Sequence, residues 1–195
     1  ALDADPQVRV IVITGDGDKD FVSGADISQL EASASITKTG NGFLQLSGAS
    51  TFGGGLSLTG GGIVIGASST PTTGVITSGP LGTGAVTMAA GTIFLSNSTA
   101  TIANPISFGG TPTFDSTATT AWTLTFNGAL TGAGLPGGTL SAALNNPGLT
   151  VSLLGDLPAF STVAKTGPGT LIFNATKFTG DFNATALGNA AAVSL

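Results

Sequence analysis

The sequence contains no cysteine, no histidine and no tyrosine, and only 8% of its 195 residues are charged. Without Cys and His, the chain cannot build a zinc finger, a Cys or His nucleophile or a Ser-His-Asp triad. Five Lys and Arg residues and a net charge of −5 leave no basic surface for nucleic acid. Apolar runs are all shorter than the roughly 20 residues of a membrane-spanning helix. We therefore expect a non-enzymatic protein with no spanning segment, no metal site and no cofactor.

The hydrophobic content is high for a chain with so little charge. Hydrophobic residues make up 41% of the sequence, 31 residues are glycine, and the mean hydropathy is +0.45. This composition favours a folded core over disorder.

Charge is distributed very unevenly along the chain. Nine of the fifteen charged residues lie in the first 31 positions. Between Thr39 and Ala164 only Asp115 and Asp156 are charged. This break predicts two parts: an N-terminal strand-loop segment over residues 1–31, and a second domain over residues 32–195.

The N-terminal part begins with the β-branched run Val8–Thr14, which predicts a buried strand. Any helix is expected between Asp26 and Ser33, with Asp26 near its N-cap. The spacing Asp16-x-Asp18-x-Asp20 matches the start of a calcium loop, but the glycine and the final glutamate that such a loop needs are missing. A solvated turn is therefore expected there.

The second part consists of short segments in which apolar and polar residues alternate. Such alternating segments, separated by Gly, Asn and Pro, predict strands joined by turns. No window shows apolar residues at a helical period. The predicted strands are Leu44–Leu46, Leu56–Leu58, Ile63–Ile65, Val86–Met88, Ile93–Leu95, Ile106–Phe108, Trp122–Phe126, Leu149–Leu153 and Leu171–Phe173.

These segments recur about every 20 residues, which is the length of one coil of a β-solenoid. The recurrence is read from four intervals: Leu44 to Ile63, Val86 to Ile106, Ile106 to Leu124 and Val151 to Leu171. We expect an all-β parallel β-helix in which Leu, Ile, Val and Phe face inward and Ser and Thr face water. Residues 135–147 fit the pattern poorly, so the number of coils there is left open.

Glycine triplets and aromatic residues each have two interpretations. Gly53–Gly55 and Gly60–Gly62 lack the Lys and Ser/Thr of a phosphate loop, so they are expected at corners of the β-helix. Trp122 and the eleven Phe residues are candidate ligand platforms, but most alternate with Thr or Ser and are expected in the core.

A nine-residue pattern occurs twice. Lys38–Leu46 reads KTGNGFLQL and Lys165–Phe173 reads KTGPGTLIF, and an aromatic residue with glycine follows each copy. Together with Leu81–Thr87, Ala103–Ile106 and Asn127–Gly134, these copies make residues 36–195 resemble the passenger-associated repeat of Gram-negative autotransporters. The resemblance implies a right-handed β-helix displayed on, or released from, the cell surface.

Residues 5–31 instead resemble the crotonase family, which includes the enoyl-CoA hydratases. Val8–Gly15 is similar to a buried strand of that family, and Phe21–Ile27 to its acyl-CoA loop. The resemblance implies weak acyl-CoA-binding candidates at Ser23, Gly24 and Ala25, with the Ala25 N–H as half of an oxyanion hole. Residues 32–195 show nothing similar to that family's second donor or catalytic carboxylates.

Three functions therefore remain open. The first is a structural, extracellular or surface solenoid that assembles head to tail or belongs to a longer passenger. The second is an adhesin-type module that binds a glycan or a protein, and the third is a fragment of an acyl-CoA enzyme. For self-association the ends of a β-helix matter, because unpaired strands must be capped or paired. The last residues are apolar and read as uncapped, so the predicted assembly residues are Val8, Val10, Val12, Val193 and Leu195.

Overall fold

The structure is a computed structural model that describes residues 10–14, 32–117, 120–132, 139–156, 162–173, 181–183 and 193–194. Within these ranges every regular element is a β-strand. In chain order the strands are β1 (Val10–Thr14), β2 (Ser35–Thr39), β3 (Phe43–Leu46), β4 (Leu56–Leu58), β5 (Gly62–Ile65), β6 (Val86–Met88), β7 (Ile93–Ser96), β8 (Ala100–Ile102), β9 (Ile106–Phe108), β10 (Thr113–Ser116), β11 (Trp122–Phe126), β12 (Leu130–Thr131), β13 (Thr139–Leu144), β14 (Leu149–Leu153), β15 (Thr162–Thr166), β16 (Thr170–Phe173), β17 (Asp181–Asn183) and β18 (Val193–Ser194).

The strands form three parallel sheets that the chain visits in turn. The first sheet has the order β1-β2-β4-β6-β9-β12, the second β17-β15-β13-β10-β7-β5-β3, and the third β18-β16-β14-β11-β8. Each sheet therefore runs along the axis of a β-solenoid of about five turns. The predicted all-β parallel β-helix is confirmed.

The nine predicted strands are all present, within one residue at either end. Three of the four predicted coil lengths are also correct, because the residues that define them lie opposite each other on neighbouring coils. These pairs are Leu44 with Ile63, Val86 with Ile106, and Val151 with Leu171.

The fourth predicted coil, from Ile106 to Leu124, is wrong. Ile106 lies opposite Leu130 in the first sheet, whereas Leu124 lies opposite Ala100 in the third sheet. Alternation marks a strand but does not say which of three similar sheets the strand joins, so a spacing near 20 was mistaken for a whole turn.

Two regions that the sequence left uncertain are now placed. Part of residues 135–147 forms the six-residue strand β13, between β10 and β15 of the second sheet. In the N-terminal part, β1 joins the first sheet by pairing in register with β2 over five residue pairs, from Val10 with Ser35 to Thr14 with Thr39. Of the range in which a helix was expected, Ala32 and Ser33 form a turn, and residues 26–31 lie outside the described part.

The core is a single column of apolar side chains inside the three sheets. Inward residues of consecutive coils are almost completely buried, as in the triplet Val86-Thr87-Met88, where only the threonine is exposed. Three phenylalanine rings meet in the middle of the column. The ring centroids of Phe94 and Phe114 are 6.2 Å apart, and each lies 5.6 Å from that of Phe126. These phenylalanines are core residues, as the sequence predicted.

Glycine corners separate the sheets. Gly61, at the corner between β4 and β5, has a φ of 62° and a Cβ there would overlap the carbonyl oxygen of Gly42 on the preceding coil. Only glycine satisfies both the left-handed backbone and this close approach. The predicted corner at Gly60–Gly62 is confirmed.

One coil carries an insertion between β5 and β6. Residues 70–78 form an antiparallel hairpin, which is closed by a bridge between Thr70 and Ser78 and begins with a cis Thr70–Pro71 peptide. Its returning arm forms a second antiparallel bridge, between Gly79 and Ser50. The hairpin lies between a strand of the second sheet and a strand of the first. It therefore takes the place in its coil that a third-sheet strand takes in the following coils.

Candidate functional site

The outer face of the first sheet carries one unbroken column of hydroxyl groups. Neighbouring coils place these residues directly opposite one another: Thr37, Ser57, Thr87, Ser107 and Thr131. Along one side of this column runs a row of small residues, Gly55, Ala85, Pro105 and Ala129. A shallow groove of about 340 Å³ lies at the end of the column nearest β2.

The outer face of the third sheet carries two such columns side by side. The first contains Thr123, Thr150 and Thr170, which are directly opposite one another, and Thr99 extends it because its Oγ1 accepts a hydrogen bond from the Thr123 N–H at 3.3 Å. The second contains Thr101, Thr125, Ser152 and Ile172.

Most hydroxyls of the third sheet are free to bind something outside the chain. Within the described residues, the side-chain hydroxyls of six residues make no hydrogen bond: Thr101, Thr123, Thr125, Thr150, Ser152 and Thr170. Ser152 is the extreme case, because it is only 6% exposed and lies between Thr125 and Ile172. A hydroxyl that is held in place and has no internal partner is suited to an external one.

The outer face of the second sheet is more apolar. The ring of Phe43 covers Gly62 of the next coil, since a Cβ at Gly62 would collide with two of its ring carbons. Val64 is 7% exposed, and Ile93 and Leu95 are half-buried on the following coil. Polar contacts with a ligand are therefore better supported on the other two faces.

A groove of about 530 Å³ separates the inserted hairpin from the body of the solenoid. One wall contains Thr73–Ile76, and the other contains Pro105 and Asn127–Ala129. At its rim Val75 is 87% exposed, the largest exposure of a large hydrophobic side chain in the described part.

Two asparagines hold this hairpin to the solenoid. Asn104 is fully buried, donates from Nδ2 to the carbonyl oxygens of Gly82 (3.1 Å) and Gly84 (2.8 Å), and accepts from the Ser69 hydroxyl at 3.2 Å. Asn127, on the next coil, donates to the Thr72 carbonyl oxygen at 2.8 Å in an exposed contact. The groove is therefore anchored at its base and at its outer edge.

The described ends of the solenoid contain three of the five predicted assembly residues. Val10 and Val12 lie in β1, which pairs only with β2 among the described residues. Val193 lies in β18, the last described strand of the third sheet. Val8 and Leu195 lie outside the described part, as do the acyl-CoA candidates Ser23, Gly24 and Ala25.

No group of His, Cys, Asp and Glu in the described ranges has the arrangement needed to hold a metal ion. These ranges also contain no helix with the length and hydrophobicity to cross a membrane. Trp122 packs against the core from a half-buried position, and its Nε1 has no hydrogen-bond partner in the described part.

The two copies of the repeated pattern each bury their lysine completely. The Lys38 ammonium donates to the carbonyl oxygens of Thr39 (2.7 Å), Gly40 (2.9 Å) and Gly60 (3.3 Å), so it links two coils. The Lys165 ammonium donates to the Gly167 carbonyl oxygen at 2.6 Å. Lys38 is the penultimate residue of a strand in the first sheet, and Lys165 is the penultimate residue of a strand in the second. The pattern therefore encodes a type of corner and not one particular face.

Burial gives these lysines a testable pH signature. Desolvation lowers the pKa of both Lys38 and Lys165 below the ordinary value of 10.5. As the pH rises through the lowered folded-state pKa, the folded chain loses these protons before the unfolded chain does. Stability should therefore rise with pH until about 10.5, because the unfolded state binds more protons in that window.

The measurement is urea unfolding between pH 7 and pH 10.5, on wild type and on the double variant Lys38→Met, Lys165→Met. The chain has no Cys or Tyr to titrate in this range, so the lysines dominate it. We expect the rise in wild type and a nearly flat profile in the double variant. A wild type that loses stability across this window would contradict the assignment.

No family model, curated protein or solved structure matches this chain. The resemblances to autotransporter passengers and to crotonases therefore rest on their motifs and stay predictions.

The paired hydroxyl columns were not found from the sequence. A signal was present in the pairs Thr99/Thr101, Thr123/Thr125 and Thr150/Ser152, each separated by one residue. Because the intervals between these pairs differ, only the register of the sheet shows that they align.

Proposed function

We propose that this chain is a structural β-solenoid segment of an extracellular or cell-surface protein, and that it extends by stacking end to end. The observation that carries the proposal is the edge of β1. Five in-register pairs attach β1 to β2, and the opposite edge of β1 carries no other strand within the described residues. Such an edge is a template for another parallel strand.

The pattern of backbone hydrogen bonds indicates which groups of β1 face that open edge. In the first sheet, the N–H groups of Ile36, Leu56 and Val86 each donate a hydrogen bond to a backbone carbonyl oxygen of the following coil. Ile11 lies opposite Ile36, so it occupies the same position in the pattern. Successive N–H groups of a strand point to opposite sides. The N–H groups of Val10 and Val12 are therefore directed away from β2 and towards a further strand.

An end-to-end stack that keeps the sheets continuous also fixes which strands meet. The open edge of β1 would meet the far end of the first sheet of another copy. The strand that contains Val193 would meet the near end of the third sheet, at the level of Ser50. The contact is heterologous, so it produces an open filament and not a closed dimer.

The exposed side faces support a structural role. Two of the three carry hydroxyl columns, and only Asp115 and Asp156 are charged between Thr39 and Ala164. Like charges stacked at the strand spacing of about 4.8 Å would repel one another, whereas Ser and Thr stack without this cost. Many such coils can therefore stack without repulsion between like charges on neighbouring coils.

The test compares two end variants with one side-face variant. Val12→Pro removes an N–H directed at the open edge of β1, and Val193→Asp places a charge in β18. Thr87→Asp introduces the same carboxylate on the exposed middle of the first sheet, so it serves as the control. Circular dichroism establishes that each variant keeps its β-structure.

We expect the mass measured by light scattering to rise with concentration for wild type and for Thr87→Asp. Both end variants should remain at the mass of one chain. A wild type that stays monomeric at every concentration would contradict end-to-end stacking and favour a segment of a longer passenger.

A further inference from the structure

We propose that the outer face of the third sheet binds the surface of ice. This face repeats in two directions, whereas the hydroxyl column of the first sheet repeats in one. Along the axis, Thr123, Thr150 and Thr170 follow one another on adjacent coils. Across the axis, each coil presents a second β-branched or hydroxyl residue two positions later, as Thr125 does after Thr123.

The register keeps both columns straight. β11 pairs with β14 over five consecutive residue pairs, and β14 pairs with β16 over four. The repeat along the axis is then the strand spacing, about 4.8 Å, and the repeat across it is two residues of strand, about 6.7 Å. These two repeats are comparable to those of the oxygen atoms on the prism plane of hexagonal ice.

The chemistry of the face suits ordered water better than a soluble ligand. Threonine presents a methyl group beside each hydroxyl, so the array combines hydrogen-bonding positions with apolar positions that order the adjacent water. Six of its hydroxyls have no side-chain hydrogen bond within the described residues, and they belong to Thr101, Thr123, Thr125, Thr150, Ser152 and Thr170.

Ser152 provides the second observation, independent of the repeat. It is 94% buried, since only 6% of its surface is exposed, and the flanking coils fix its position between Thr125 and Ile172. Its hydroxyl belongs to the outward column but has no partner in the described part of the chain. Such a rigid, unpaired group pre-orders an external water at that point of the array.

A polysaccharide is less well matched to this face. Sugar-binding surfaces place aromatic side chains and a few convergent polar groups around the ligand. The described outward residues of the third sheet contain no aromatic ring and no charged group, and Trp122 packs towards the core. The threonine columns do not converge on one point, as a sugar-binding site requires. They repeat at regular intervals, as an ice surface requires.

The experiment uses the whole chain and measures ice growth directly. Wild type is compared with Thr125→Lys and Thr150→Lys, which place a long charged side chain in each column of the third sheet. Thr87→Lys makes the same change in the single column of the first sheet and is the matched control. Three quantities are measured. They are the thermal hysteresis, which is the gap between the melting and freezing temperatures, the rate of ice recrystallisation during annealing, and the fraction of protein that a growing ice hemisphere incorporates.

We expect wild type and Thr87→Lys to slow grain growth and to enter the ice. Thr125→Lys and Thr150→Lys should lose both effects while keeping the circular dichroism spectrum and the unfolding midpoint of the control. Wild type without effect on ice would overturn the proposal, and so would equal loss in Thr87→Lys. Retention on insoluble cellulose or chitin without any effect on ice would also overturn it, in favour of a polysaccharide ligand.

Discussion

Replacing Phe114 by alanine should lower the free energy of unfolding by about 3–5 kcal/mol, the range for buried Phe→Ala substitutions. The side chain of Phe114 is 1% exposed, and its ring contacts those of Phe94 and Phe126. Deleting it leaves a cavity between two sheets that the flanking coils hold apart, so the site collapses poorly. It also removes two aromatic contacts.

The matched control is Phe43→Ala, in the same sheet but on its outer face. Phe43 covers Gly62 from a half-buried position. Its loss removes apolar contact without opening an internal cavity, so we expect a cost of about 1 kcal/mol. Urea unfolding of both variants measures the difference. An equal cost would show that the phenylalanine cluster is not the packed centre of the core.

Replacing Asn104 by alanine should cost about 3 kcal/mol, because one buried carbonyl group, one partly buried carbonyl group and one hydroxyl lose their partner together. Those groups belong to Gly82, Gly84 and Ser69. They lie at the base of the inserted hairpin, so this variant should also loosen the hairpin. Hydrogen exchange at residues 69–84 should become faster than in wild type.

Asn127→Ala is the control for this prediction. Its hydrogen bond to the Thr72 carbonyl oxygen is exposed, so water replaces the lost donor and the cost should stay below about 1 kcal/mol. If both asparagine variants were equally stable, the buried network around Asn104 would not be what holds the hairpin.

The strands and the parallel class could be predicted from the sequence because burial alternates along many of the strands. In Leu56-Ser57-Leu58 and in Val86-Thr87-Met88 the first and third residues are buried and the middle residue faces outward. The local pattern and the tertiary environment therefore agree. Among the strands that were missed are Ala100–Ile102, which alternates but begins with a small alanine, and Thr113–Ser116, in which only Phe114 is buried.

The assignment of strands to sheets could not be predicted, because coil length varies with the corners. Leu56 lies opposite Val86, 30 residues later, since the inserted hairpin lengthens that coil. Ile106 lies opposite Leu130, 24 residues later. A period of about 20 holds only for coils with short corners, and it fails where an insertion intervenes.

For the candidate site, the sequence predicted outward Ser and Thr but not their alignment into columns. Alignment depends on the register across coils of unequal length, which no local pattern carries. The same limit applies to Lys38. Its place in a repeated pattern was visible, but its contact with Gly60 depends on the next coil.

The central claim is that this solenoid continues from one copy into the next, and cryo-electron microscopy of the wild-type chain at increasing concentration tests it most directly. The account predicts unbranched filaments one solenoid wide, with strands perpendicular to the long axis and a repeat of about 4.8 Å that runs unbroken across the junction between copies. Isolated single particles of one chain at every concentration would contradict it.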